Sequence, residues 1–491
     1  MAFEFDSRRI GIALLAAASS AVLIWFGTGL HPAWPLLWLA PLPVLVVAAR
    51  SPWWAAGLTA MLAWTVGNLN MAHYYATLLH IPLAVSAEII VAPALVFAFA
   101  VLLYRALLQR GAAWSALVAF PAAWVSFEFV VNLTSPHATL GSLAYSQLNC
   151  LPVLQLASIT GPWGISFLVL MVPAALAIWI DLRSRSPKQG FRILLTALCV
   201  LALVAGFGAL RLASPPPPGQ DVKVGLVASD AGANAGVAAA GARTDQLLSN
   251  YAAQAAALAA RGAQVIVLPE HVGEIVDSQT ASVLQTAPTD ALFQSLADRT
   301  RVTIVVGVSH VTANAAFNQA RMYAPDVAEQ SYAKHHMLPP FESMFTPGKT
   351  ILLLDEPRGK WGVEICKDMD FTALSRAYGN AGAGLVLAPA WDFQLDWISH
   401  GHVAIMRGVE DGFGIARAGR GGSLLVTDNR GRILAETRSN SAPFATLIAD
   451  VPAIHDNTLY LLWGDWFAWV ALGALAFTLV RLVSLPRPKP A

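Results

Sequence analysis

Charge and cysteine are both scarce in this sequence. Only 12 % of its 491 residues are Asp, Glu, Lys or Arg, about half the share carried by an ordinary soluble chain. Basic and acidic residues nearly cancel, 31 against 30, so no field of one sign is available to hold a nucleic acid. The three cysteines, Cys150, Cys199 and Cys366, are too few and too scattered for a disulfide framework or a structural zinc site. Cys199 lies inside an apolar run and reads as a small packing residue.

Hydrophobic residues make up 56 % of the chain, and they are unevenly spread. A helix needs about 20 apolar residues to cross a ~30 Å hydrocarbon core. Runs of that kind are expected near 10–29, 33–49, 53–71, 83–104, 112–132, 162–181, 192–212 and 462–482. The second and third are interrupted by Pro35, Pro41, Pro43, Asn68 and Asn70. The first reads as an uncleaved anchor, because so many spans follow it. Arg8 and Arg9, Arg50, Arg105 and Arg110, the Arg183–Lys188 loop with Arg192, and the tail with Arg481, Arg487 and Lys489 then fall on one side. That side is expected to be cytoplasmic and 213–461 to lie on the opposite face, which at the inner membrane of a Gram-negative bacterium is the periplasm. The expected organisation is a helical bundle of about seven spans over 1–212 and a proline-rich linker over 213–219, semi-rigid because consecutive prolines favour an extended helix. A globular domain over 220–460 and a C-terminal membrane helix with a basic tail over 461–491 complete it.

The globular stretch alternates short apolar runs with amphipathic ones. Strands are expected at 222–228, 265–268, 302–308, 351–354, 361–365, 384–388, 413–417, 422–427 and 444–450, with a hairpin at 321–337. Helices are expected at 244–260, 289–299, 371–380 and 396–409. This is an α/β pattern with strands enough for two sheets and helices outside them.

Three residues at the ends of such runs carry the chemistry. Cys366 closes Trp361–Cys366, Glu270 closes the run from Val265, and Lys334 sits in Tyr332-Ala-Lys-His-His336. A thiol, a carboxylate and an amine can form a nucleophile, its base and an electrostatic helper. A thiol with a pKa of ~8.5 is mostly protonated at neutral pH. Glu270 is therefore the expected base, and Lys334 with the Lys367 backbone N–H the expected support for a tetrahedral oxyanion. His335 and His336 are expected to face opposite sides of a strand, and His400 and His402 to diverge on a helix, so no metal is expected. Arg407 and Glu410, one helical turn apart, read as a surface or interdomain ion pair. Trp391 and Trp397 suit an acyl pocket, a headgroup contact or the core.

In order and context, Glu270, Lys334 and Cys366 resemble the Glu-Lys-Cys triad of the nitrilase (carbon–nitrogen hydrolase) superfamily. With membrane spans on both sides, the whole chain resembles the bacterial apolipoprotein N-acyltransferase family. Matching motifs are Leu268-Pro-Glu270, Tyr332-Ala-Lys-His-His336, Pro340-Phe-Glu342, Met406-Arg-Gly-Val-Glu410, Gly141-Ser-Leu-Ala-Tyr-Ser-Gln147 and Gly161-Pro-Trp-Gly-Ile-Ser-Phe167. The resemblance implies an α-β-β-α sandwich inserted between transmembrane helices of a membrane bundle. It implies an acyltransferase that needs no cofactor, in which the thiol takes an acyl chain from a phosphatidylethanolamine-like donor as a thioester. The N-terminal amine of a diacylglyceryl-cysteine lipoprotein then accepts the chain. It adds Glu342 as a further carboxylate and Asp368 as a supporting acid, while Trp391 is a candidate substrate contact.

The sequence also departs from that family. Lys367 stands where an aromatic residue is usual, Leu268 replaces a tryptophan, Pro340-Phe-Glu342 lacks a glycine, and Val227-Ala-Ser-Asp230 lacks a Gln-Asn pair. Lys367 is expected to add positive charge beside the thiol and lower its pKa. Two other readings stay open: a membrane-tethered amidase or acyltransferase with a different amine acceptor, and a non-catalytic lipid- or lipoprotein-binding protein.

Overall fold

The computed structural model describes residues 7–214, 221–231, 239, 241–277 and 286–486. The prolines of the linker, Pro215–Pro218, and the tail residues Arg487 and Lys489 lie outside these. The chain divides into two compact units. One holds Met1–Leu133, Gly141–Ala213 and Trp463–Ala491, the other Thr134–Leu140 and Ser214–Leu462.

Among the described residues, six helices of the first unit are long and apolar enough to cross a membrane: Ser7–Gly27, Leu83–Gln109, Ala113–Thr134, Pro162–Leu182, Pro187–Ala213 and Trp466–Ser484. The run expected at 33–49 forms two short helices instead, Trp34–Leu37 and Leu42–Ala48, with Pro41 at the break. Proline supplies no N–H and starts helices more readily than it continues them. The run expected at 53–71 is a 16-residue helix, Trp53–Asn68, that tightens into a 3₁₀ turn at Leu69–Met71. The buried Glu128 carboxylate in this unit is well supplied with donors, as a low-dielectric setting demands. Glu128 accepts from Trp124 Nε1 at 2.9 Å, Ser142 Oγ at 3.1 Å and Leu143 N at 2.7 Å. Trp38 Nε1 donates to Gln147 at 2.7 Å, so the 141–147 motif is tied down at both ends.

In the second unit the first six strands are β1 (Asp221–Ala228), β2 (Val265–Val267), β3 (Gly273–Val276), β4 (Thr303–Val311), β5 (Ala316–Tyr323) and β6 (Gln330–Ala333). The rest are β7 (Leu353–Glu356), β8 (Gly359–Val363), β9 (Ala383–Trp391), β10 (Gly414–Arg420), β11 (Ser423–Thr427), β12 (Ile433–Arg438) and β13 (Ala445–Pro452). They build two sheets, ordered β13-β1-β2-β4-β5-β6 with β3 beside β4, and β12-β11-β10-β9-β8-β7. The middle of each is parallel: β1, β2 and β4 in one, β8, β9 and β10 in the other.

The two-residue period of the strands sorts their side chains into layers. Val265 and Val267 point into the core between the sheets, with Val363, Ile365, Leu385 and Leu387 of the other sheet. Ile266 and Leu268 point the other way, onto Leu248, Tyr251 and Phe293 of helices Ala242–Ala260 and Thr286–Thr300. Helices Thr372–Asn380 and Trp397–Asp411 cover the second sheet. The result is the α-β-β-α sandwich. Arg407 and Glu410 pair at 3.0 Å, but both are fully buried. The surface reading is corrected: their helix turns this face inward, where each charge needs the other.

Glu270 follows β2, Lys334 follows β6, Cys366 follows β8 and Trp391 closes β9. Parallel strands thus deliver Glu270, Cys366 and Trp391 at their carboxyl ends, where open α/β sheets hold their ligands. Gly307 of β4 permits the placement of Glu270. A Cβ there would stand 2.3 Å from the Pro269 carbonyl oxygen and 2.5 Å from Glu270 Cα. Gly307→Ala is therefore expected to cost about 1–3 kcal/mol, the usual price of overpacking. A thermal midpoint equal to wild type in detergent would sink this account of the turn.

Candidate active site

Each reactive side chain is held by its local backbone. Leu268 N donates to Val305 O and Gly307 N to Pro269 O, fastening the turn that carries Glu270 to β4. Lys334 N donates to Asn318 O at 2.8 Å and Gly348 N to Lys334 O at 2.7 Å. Cys366 opens a 3₁₀ turn, Cys366–Asp370, with φ at 45°, a left-handed conformation uncommon outside glycine. Such strain persists only where the surroundings over-determine it. Here the fully buried Asp368 carboxylate does so. It accepts from Tyr332 OH at 2.7 Å and from the backbone N–H groups of His336, His335 and Ile365 at 2.8, 3.1 and 3.2 Å.

The charges meet on Lys334. Its Nζ lies 2.8 Å from Glu270 Oε1, and 2.9 and 2.8 Å from the two oxygens of Glu342. Asn318 Nδ2 spans both carboxylates at 2.6 and 2.7 Å, and Leu338 N adds a donor to Glu342 at 2.7 Å. Burial works against the Lys334 charge, but Glu270 and Glu342 hold its pKa well above the usual lysine range. Burial likewise works to raise Glu342, but Lys334 and hydrogen-bond donors hold it far below the usual carboxylate range. Cys366 goes the other way. Burial, then the Glu270 charge, push its pKa well above that of a free thiol, with Lys334 opposing. The resting thiol keeps its proton, and a base is needed to remove it.

The structure thus brings Glu270, Lys334, Glu342 and Cys366 together, with Asp368 supporting the turn. Trp391 joins them through its backbone: its carbonyl lies 3.5 Å from Cys366 Sγ. Its ring carries the Arg420 guanidinium at 3.8 Å, because β9 and β10 pair these two residues. The expectation for the Lys367 side chain is corrected. Its Nζ turns to His137 Nδ1 and Asp370 Oδ2, each at 3.1 Å, and the thiol is raised rather than lowered. His335 and His336 do not face opposite sides of a strand, for β6 ends at Ala333 and both bind Asp368 through their backbone. His400 is engaged by Asp396 at 3.0 Å; burial opposes its charge, but Asp396 holds its pKa up at about 9.

Sequence reasoning missed His271, Asn318 and the Asp392–Arg417 pair. His271 is buried beside the base, with Nδ1 2.8 Å from Ser309 Oγ and Nε2 3.5 Å from Glu342 Oε1. Its place directly after Glu270 was the available signal. Arg417 Nη1 donates to Asp392 at 2.9 Å within a bidentate pair, and both charges bear on the thiol. Glu270, His271 and Glu342 bring possible metal-ligand atoms within 4.8 Å of one another. Both carboxylates already bind the Lys334 ammonium, a cation supplied by the chain itself.

Residues 20–175 match the profile of the apolipoprotein N-acyltransferase N-terminal domain, and residues 231–453 match that of carbon–nitrogen hydrolase. A Geobacter metallireducens protein named apolipoprotein N-acyltransferase is 27 % identical over 397 residues, covering 74 % of this chain and 73 % of its own. A Shewanella oneidensis protein of the same name is 25 % identical over 400 residues, covering 74 % and 73 %. Among solved structures, a mutant amidase from Nesterenkonia sp. AN1 in complex with butyramide aligns with a TM-score of 0.41 at 22 % identity, covering 51 % of this chain and 96 % of that one. Six long apolar helices together with these relatives make this a multi-pass membrane protein. The first profile falls on the membrane part and the second on the domain bearing Cys366, so over most of its length the chain is similar to proteins named apolipoprotein N-acyltransferase.

Proposed function

We propose that this protein N-acylates lipoproteins in two steps through a thioester on Cys366. The observation that carries the reading is the buried ammonium of Lys334 held between Glu270 and Glu342 beside the Cys366 thiol, in a chain whose relatives are named for that reaction.

In the first step Glu270 takes the thiol proton as Sγ attacks the ester carbonyl carbon of a phosphatidylethanolamine-like phospholipid. The S–C bond forms, the ester C–O bond breaks, and Glu270 returns the proton to the departing alkoxide, leaving a lysophospholipid. In the second, the N-terminal amine of a diacylglyceryl-cysteine lipoprotein attacks the thioester. The N–C bond forms and the C–S bond breaks, while Glu270 moves the amine's proton to the sulfur. Lys334 and the Lys367 backbone N–H stabilise the oxyanion of each tetrahedral intermediate. Glu342 fixes Lys334, Asp368 holds the nucleophile's turn, and Trp391 borders the acyl chain. With the broken segments at 34–48 and 53–68 counted as crossings alongside the six long helices, all the basic clusters fall on one side. This supports an inner-membrane protein whose catalytic domain faces the periplasm.

Incubating the detergent-purified protein with phosphatidylethanolamine should leave a hydroxylamine-labile acyl mass on the peptide carrying Cys366, and none in Cys366→Ala. Adding a diacylglyceryl-cysteine peptide should discharge it as an amide. Absence of any adduct with wild type would overturn the reading.

The electrostatics give a second test. Burial and Glu270 raise the thiol, so iodoacetamide alkylation of Cys366 should reach half its maximal rate at a pH above the ~8.5 of a free cysteine. Lys334→Met removes an opposing charge and should move that point further up, whereas Glu270→Gln should move it down. Shifts of the opposite sign would refute this assignment of charges.

A further inference from the structure

Residues Thr134–Leu140 pack with the unit that contains Cys366, although the chain on both sides of them belongs to the other unit. They are fastened to the nucleophile's own turn. Thr139 donates twice to the Asp370 carbonyl, from N at 3.3 Å and from Oγ1 at 2.7 Å. Lys367 reaches back to meet them, with Nζ 3.1 Å from His137 Nδ1 and 3.1 Å from Asp370 Oδ2. Lys367, Ala138 and Thr139 are all buried, and Ala138 adopts φ 44°, so this segment is itself strained. An ammonium can donate to an imidazole only if the ring is neutral. Burial and the Lys367 charge keep His137 so, holding its pKa down to about 4 against the pull of Asp370.

The turn these contacts hold is the one in which Cys366 takes its left-handed conformation. Asp368 secures that turn from one side through Tyr332, His335 and His336. The 134–140 segment secures it at Lys367 and Asp370. We propose that the Lys367 side chain, His137 and Thr139 form a clamp that keeps the 366–370 turn aimed for reaction, so that the Lys367 side chain is a positioning group and not a source of charge for the thiol. The clamp deepens the thioester reading, since its value lies in aiming Cys366 and the Lys367 N–H. It also accounts for the unusual lysine at this position. An ammonium on a long stem reaches an acceptor 230 residues away in sequence.

The test uses the full-length protein in detergent and two readouts, hydrogen–deuterium exchange and the rate of thioester formation from phosphatidylethanolamine. Lys367→Met should speed exchange in 136–140, and Thr139→Val should speed it in 366–370, each across the contact. Lys367→Met and His137→Ala should each slow thioester formation roughly ten- to a hundredfold, the cost of a small misplacement. The double variant should be no slower than the singles, because both break one contact. His137→Asn keeps an acceptor and should stay near the wild-type rate. Exchange that changes only around the substituted residue, fully additive rate losses, or His137→Asn as slow as His137→Ala would each overturn the clamp. A wild type that forms no thioester would instead remove the proposed function, while the exchange measurement still decides the clamp.

Discussion

The site depends on one buried cation. Lys334 Nζ holds Glu270 and Glu342 on either side of it at hydrogen-bonding distance. Two carboxylates buried this closely would repel, and one would take up a proton. With the ammonium between them, each carboxylate has a cationic donor at hydrogen-bonding distance, and Asn318 donates to an oxygen on each. The same ammonium opposes the rise in the Cys366 pKa without overcoming burial and the Glu270 charge. The outcome is a thiol whose pKa is pushed up, beside a carboxylate engaged by an ammonium.

The second constraint is geometric. A nucleophile at the end of a strand is useful only if its turn presents the sulfur and a backbone N–H to the same place. Cys366 sits in a backbone conformation its side chain disfavours. Asp368 accepts a hydroxyl and three backbone N–H groups to keep it there. Stability within the sandwich therefore underwrites the chemistry: Tyr332 is at once part of the core between the sheets and a donor to Asp368. Gly307 has the same double character, since the close approach of β4 is what sets the height of Glu270.

Much of this was legible beforehand because strands and helices carry their periods locally. Val265–Val267 and Ala383–Trp391 are continuous apolar runs, as expected of parallel strands covered on both faces. The residues closing such runs, Glu270 and Cys366, were visible as polar groups at strand ends. Local pattern does not say what a long side chain reaches. Lys367 sits next to the thiol in sequence, yet its ammonium is spent on His137 and Asp370. Arg407 and Glu410 have the spacing of a surface pair but lie inside, since burial depends on what packs against the helix. Asn318 had no local signal at all; it matters because β5 crosses beside β4 and β6.

The sequence by itself determined the division into membrane and globular parts, the α/β character of the latter, and which residues end the central strands. These follow from hydrophobic period and run length, which act over a few residues. Tertiary structure alone decided the protonation of the thiol, the sharing of one ammonium by two carboxylates, and the recruitment of His137 and His271. Those depend on burial and on distances between residues far apart in the chain, which form only as the two sheets close on each other and the 134–140 segment packs on the 366–370 turn.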